Sequence, residues 1–161
     1  MIWRSGMFWL VPTAIVGGVA LYLTVRRPIR VWGGQVLQAR ARESFLLQRE
    51  KLEAQFMSSA AATGKPRGLR WMDCDFGSEL ELARELATGQ IVGLVPVTIR
   101  FEAVEGSDME GLAAVGNLRN ASAVFVFEKG QWQTAGKAVF NLNPLEVIEH
   151  FHQQYERMAP V

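Results

Sequence analysis

Residues 121–140 read ASAVFVFEKGQWQTAGKAVF, and this stretch decides the fold. Two runs rich in β-branched and aromatic residues, 121–128 and 131–140, are separated by Lys129-Gly130. That pair is a hairpin signal, with Gly at a left-handed position. A connection this short joins only antiparallel neighbours, so at least part of the sheet is antiparallel. Phe125, Phe127, Trp132 and Phe140 fall on one face of the hairpin and form the strongest core candidate.

Upstream, 91–104 is a long β-branched stretch with Val95, Val97, Ile99, Phe101 and Ala103 on one face. Pro96 points the other way and cannot donate a ladder bond, so it predicts a bulge, a break or an edge. Residues 69–76 alternate, with Met72, Cys74 and Phe76 on one side and Trp71, Asp73 and Asp75 on the other. Ser78-Glu79-Leu80-Glu81 reads as a capping box opening a short helix, which Gly89 closes and which buries Leu82, Ala83 and Leu86. Residues 105–117 read as a loop with one irregular strand. Downstream, Asn143 caps a last helix with Pro144 at its first position and Glu146 completing the box. Its apolar stripe is Ile148, Phe151, Tyr155 and Met158.

Residues 35–58 carry Leu37, Ala41, Phe45, Gln48, Leu52 and Phe56 at three- and four-residue steps, one narrow stripe of an amphipathic helix. The small, polar stretch 58–68 (SSAAATGKPRG) reads as a linker. The expected organisation is 1–30 as a membrane anchor, 31–68 as helix and linker, and 69–161 as a compact domain. The fold class is α+β: a transmembrane helix followed by a mainly antiparallel sheet of about four strands covered by helices. A long strand followed by a hairpin with a Gly-x-Trp turn (Gly130, Trp132) resembles cystatin-like and nuclear-transport-factor-2-like rolls. That resemblance implies a roll-type fold and carries no function.

The anchor is read from 7–25, MFWLVPTAIVGGVALYLTV, which holds no charged residue. As a helix it spans about 28 Å, close to the roughly 30 Å hydrocarbon core. Trp3 and Trp9 at one end, with Tyr22 and Trp32 at the other, resemble interfacial aromatic belts. Pro12 sits in the first two turns, where a missing donor costs little. The run ends in Arg26-Arg27-Pro28, with Arg30 beyond, a stop-transfer pattern rather than a signal-peptide cleavage site. Positive charge on that flank directs the domain to the cytoplasm. Thr13/Gly17 and Ala14/Gly18 are small-xxx-small pairs through which two anchors could pack, so a homo-oligomer is open. Asn120-Ala121-Ser122 is a glycosylation sequon, expected to be inert in a cytoplasmic domain.

Residues 31–161 carry 13 Lys/Arg against 16 Asp/Glu, a net −3. A mildly acidic domain without a basic stripe argues against nucleic acid as a partner. Asp73, Asp75 and Glu79 form the densest acidic group, but Gly77, Ser78 and Arg84 occupy positions where a calcium loop needs a ligand, a glycine and a glutamate. The group reads as a solvated strand edge. His150 and His152 lie about 200° apart on a helix and cannot chelate one metal. Cys74 reads as a core thiol. The acidic loop Glu105–Glu110 could meet a basic partner, but its default is solvation.

No catalytic, cofactor or metal residue is therefore nominated. The expected partners are the lipid bilayer and a membrane protein. Function reads as a membrane-anchored, non-enzymatic interaction domain, an accessory or assembly factor of a membrane complex. The alternative is a ligand-binding or enzymatic roll, with carboxylates such as Glu102 or Asp75 in a pocket between sheet and helices; a third reading is an oligomeric scaffold joined through the anchor and the helix over 35–58.

Overall fold

The structure is a computed structural model that describes residues 34–63 and 68–159. The anchor residues Trp9, Pro12, Gly17, Gly18, Tyr22, Arg26, Arg27 and Arg30 lie outside the described residues. By contacts the chain divides into Met1–Leu37 and Gln38–Val161; the second unit holds the sheet and its core.

The fold is α+β. Helix α1 is described over 34–47, followed by α2 (Arg49–Thr63) and, late in the chain, α3 (Pro144–His150). Between and after them run β1 (Leu69–Phe76), β2 (Glu81–Glu85), β3 (Ile91–Ala103), β4 (Arg119–Glu128), β5 (Gln131–Gln133), β6 (Ala138–Phe140) and β7 (Tyr155–Arg157). All join one seven-stranded sheet in the order β5-β4-β3-β2-β7, with β1 also on β3 and β6 also on β4. Every pairing is antiparallel. The expected sheet of about four strands is thus corrected to seven, because the helix read from Ser78 is a strand and two stretches read as single elements are divided.

The first difference lies opposite Pro96, which stays inside the unbroken strand β3. Residues 69–85 run alongside β3 as one interrupted edge: β1 pairs with 97–103 and β2 with 91–94. Between them the Gly77 N–H donates to the Pro96 carbonyl at 2.8 Å. A strand residue's N–H and C=O point to the same side, so the donor Pro96 lacks would have faced the gap, where no ladder partner is missed. The segment read as a helix from Ser78 is therefore corrected to a connector and a strand. Leu82 is buried toward α1 and α2 while its neighbour Ala83 is buried toward α3, an alternation only a strand provides. Leu86, expected inside, is 52% exposed in the turn that follows.

The second difference is at Gly136. β5 pairs with 126–128 and β6 with 121–123, and between them the chain leaves the ladder. The Thr134 hydroxyl donates to the Val124 carbonyl at 2.9 Å, and the Val124 N–H donates to Lys137 at 2.9 Å. The tight turn forms as read, with Lys129 at φ 50 and Gly130 at φ 83. The third difference is in the last helix. Its capping box is present, with Asn143 accepting from the Glu146 N–H at 3.0 Å and Glu146 accepting from the Asn143 N–H at 2.8 Å. The helix stops at His150, and Tyr155–Arg157 becomes β7 on the edge of β2. Tyr155 and Met158 are inside, but from a strand and its end rather than a helical stripe.

Two cores flank the sheet. On one face Ala41, Phe45, Leu52, Phe56 and Ala60 pack on Val95, Val97, Ile99, Phe101, Phe125 and Trp132. Ala41, Phe45, Leu52 and Phe56 of the stripe are thus buried as read, but Leu37 is 49% exposed, and Gln48 is an exposed turn residue whose N–H donates to the Phe45 carbonyl at 3.1 Å. The helix does not end at 58: residues 58–63, read as linker, remain in α2, and Ala60 is fully buried. On the other face Val147 and Ile148 of α3 cover Val92, Leu94 and Val124.

β1 corrects a further reading. A register shift between Trp71 and Asp73 makes Met72 a bulged residue, 48% exposed. The extra residue reverses the alternation, so Trp71, expected outside, joins Cys74 and Phe76 against the core.

Candidate functional site

The residues with chemistry to offer lie scattered over the molecule. Asp73 stands opposite Arg100 and Asp75 opposite Thr98, both exposed on the outer face of β1. Among the described residues no three His, Cys, Asp or Glu side chains cluster so as to hold a metal. Glu102, the carboxylate a pocket would use, is exposed on the same outer face and lies 3.9 Å from Arg70. Its strand neighbour Phe101 points into the core, so both Glu102 and Asp75 face away from the space between sheet and helices.

His150 and His152 are exposed. His150 stacks edge-on against Phe151 at 4.8 Å, and His152 Nδ1 lies 3.2 Å from the Glu149 carbonyl. Cys74 is half-buried, and burial, with the charge of Asp73 in second place, pushes its thiol up to about 12. A thiol held neutral at physiological pH is a small apolar core group rather than a nucleophile. The loop Glu105–Glu110 folds on itself: the Glu110 carboxylate accepts from the Gly106 N–H at 2.7 Å, and the Ser107 hydroxyl donates to the Gly68 carbonyl at 3.1 Å. The sequon lies inside β4, where Asn120 accepts from the Thr98 hydroxyl at 3.3 Å and Ser122 is fully buried, donating to Leu142 at 2.8 Å.

The interior between α1, α2 and the sheet is occupied by rings in contact. Trp132 meets Phe45 at 5.0 Å, Phe45 meets Phe125 at 5.1 Å, and Phe125 meets Phe56 at 5.9 Å. Phe56 continues to Phe76 at 5.6 Å and Trp71 at 6.3 Å. Trp71 then meets Phe101 at 5.0 Å and, at the rim, Phe140 at 6.4 Å; Phe140, expected in the core, is 40% exposed. The indole N–H of Trp132 donates to the Ala41 carbonyl at 2.9 Å, so the largest polar atom in this core is satisfied. β1 and β6 stand three strand spacings apart, about 14 Å, yet Trp71 and Phe140 converge over Phe101.

Sequence reading missed the role of two arginines. Arg42 donates to the Leu80 carbonyl at 2.9 Å, while Arg49 donates to Gly77 and Ser78 and pairs with Glu53 at 2.7 Å. Together they bind carbonyls of the connector opposite Pro96, where the ladder is interrupted. A break in the ladder leaves carbonyls that need partners, but which helix supplies them is a tertiary fact.

The sheet edges are guarded. β1 carries the Met72 bulge with Asp73 and Asp75, the β5–β6 edge is interrupted, and β7 is three residues long. These are devices that discourage strand addition. Among the described residues no helix is long and apolar enough to cross a membrane. Compared with family models, curated proteins and solved structures, the chain matches none.

Proposed function

We propose that the chain is a membrane-tethered interaction domain, an accessory or assembly factor for a membrane complex. The observation that carries this reading is the run of aromatic rings from Trp132 to Phe101, which occupies the side of the sheet where a ligand-binding roll would need its pocket. The carboxylates available to such a pocket stand on the opposite face of the sheet. This supports surface recognition over chemistry within the fold. The convergence of Trp71 and Phe140 over Phe101 supports a rolled sheet as fold analogy.

The tether is the apolar segment 7–25, with Trp9 and Tyr22 at its ends and Arg26, Arg27 and Arg30 holding the domain on the cytoplasmic side. The apolar stripe of α1 and α2 is spent on the domain's own sheet, which supports partners bound through other surfaces. The test is purification of the tagged full chain from its own membranes. Retention after alkaline carbonate and one stoichiometric protein partner in mild detergent are expected. Release by carbonate would remove the anchor, and recovery of the chain alone would remove the interaction role.

A further inference from the structure

The side of α1 and α2 turned away from the sheet carries an apolar centre with opposite charges at equal distances on either side. Leu47 is 80% exposed and Leu46 53%. On a helix Leu47 lies about 200° around from Phe45, whose ring is fully buried against the sheet. Four residues before it stands Glu43 and four after it Lys51, both exposed and in the same row of side chains. The turn at Gln48 does not separate the two ends of this row. The Leu52 N–H donates to the Gln48 carbonyl at 3.0 Å, and both helices send their apolar stripe into the same core.

We propose that this surface pairs with a second copy of the chain, the two helices crossing antiparallel about a two-fold axis at Leu47. An isologous contact requires a patch complementary to itself, and this one is. The axis sets Leu47 on Leu47 of the second copy, Glu43 opposite its Lys51, and Lys51 opposite its Glu43. Other occupants fit the charges less well. Glu43 and Glu50 offset Arg40 and Lys51, so this face carries no net positive charge to draw it to anionic headgroups. A partner of single-signed charge would meet repulsion at one end of the row. A contact a few helical turns long falls below the roughly 1,200 Å² of a stable free interface, so the pairing is weak in solution and is strengthened when copies share a membrane. The inference rests on the tether proposed above, which concentrates the copies, and is separate from the protein partner proposed there.

The test is oxidative cross-linking of the full chain in its own membranes, in a Cys74→Ala background with unchanged thermal melting. Leu47→Cys is expected to form a disulfide-linked dimer rapidly, and Leu86→Cys, also exposed beyond the end of β2, is not, once each rate is scaled to alkylation of the same thiol. Adding Glu43→Lys or Lys51→Glu alone sets like charges against each other at both ends and slows cross-linking about ten-fold. Combining the two swaps restores it, because the inverted pattern is again complementary to itself. Cross-linking at Leu47→Cys no faster than at Leu86→Cys overturns the proposal, as does a double swap that fails to recover. Dimers insensitive to all these changes place self-association elsewhere and overturn it too. Carbonate extraction of the same membranes reads the anchor separately, and capture of a different protein bears on the interaction role without touching this one.

Discussion

At Gly136 the backbone of the β5–β6 connection presses on α2. Its φ is +70, and a Cβ built there would overlap the backbone of Ala60 and Ser59. Neither neighbour is a flexible side-chain tip, so the clash can be relieved only by lifting the helix off the sheet. Gly136→Ala should destabilise the fold by about 2–3 kcal/mol, read as a lower denaturation midpoint at unchanged slope. Cys74 makes a second prediction at this scale. Its folded thiol titrates at about 12 against an ordinary 9.0, so the native state holds its proton more tightly than the unfolded chain. The stabilisation is full below pH 9.0 and is lost as pH rises toward 12. Replacing Cys74 by Ala should flatten the loss of thermal stability across that window. A thiol-alkylating reagent should label the native protein far more slowly than the urea-unfolded chain at pH 8.

At the scale of elements, Pro96 looks misplaced in the middle of a central strand, and the interrupted β1–β2 edge explains why it is tolerated. Pro96→Ala should change stability by under about 1 kcal/mol, since no ladder bond is regained or lost. Gly77 pays for the same arrangement: a Cβ there would lie 2.8 Å from the Pro96 ring. Gly77→Ala should therefore be clearly destabilising alone and partly rescued by Pro96→Ala, a coupling that a double-mutant cycle measures. The start of α3 is a self-contained signal, and Asn143→Ala should cost about 1 kcal/mol. That box was legible because its partners are three residues apart. Ser78–Glu81 carries the same letters and opens no helix, because strands on both sides offer Glu81–Glu85 a ladder that outweighs its helix propensity.

For the whole molecule, the described unit from Gln38 onward carries both cores, with α1 and α2 bound to the sheet through Phe45, Phe56 and the Arg42 and Arg49 hydrogen bonds. A chain starting at Gly34 should unfold in one cooperative transition. It should move from the membrane to the soluble fraction on cell breakage, whereas a chain lacking residues 34–63 should not fold. Membrane retention of the shortened chain would contradict the role given to 7–25. At this scale the acidic balance was legible from composition. The core places of Phe125, Phe127 and Trp132 were legible from the hairpin, but that of Trp71 was not, because it depends on the register of β1 against β3.

The sequence by itself determined the features whose local signal no distant strand opposes: the Lys129-Gly130 turn, the long strand 91–103, the stripe Ala41–Phe45–Leu52–Phe56 and the Asn143 cap. Each rests on backbone geometry or side-chain periodicity within a few residues. Only the tertiary structure decided the rest. Met72 reverses the face of Trp71 because the register against β3 slips by one residue, which periodicity within β1 cannot express. Residues 81–85 and 155–157 are strands because they find each other and β3, and 58–63 stay helical because Gly136 makes room for Ala60. Ladder bonds and packing between segments far apart in sequence add free energy that no local window contains, and at these places it exceeded the local preference.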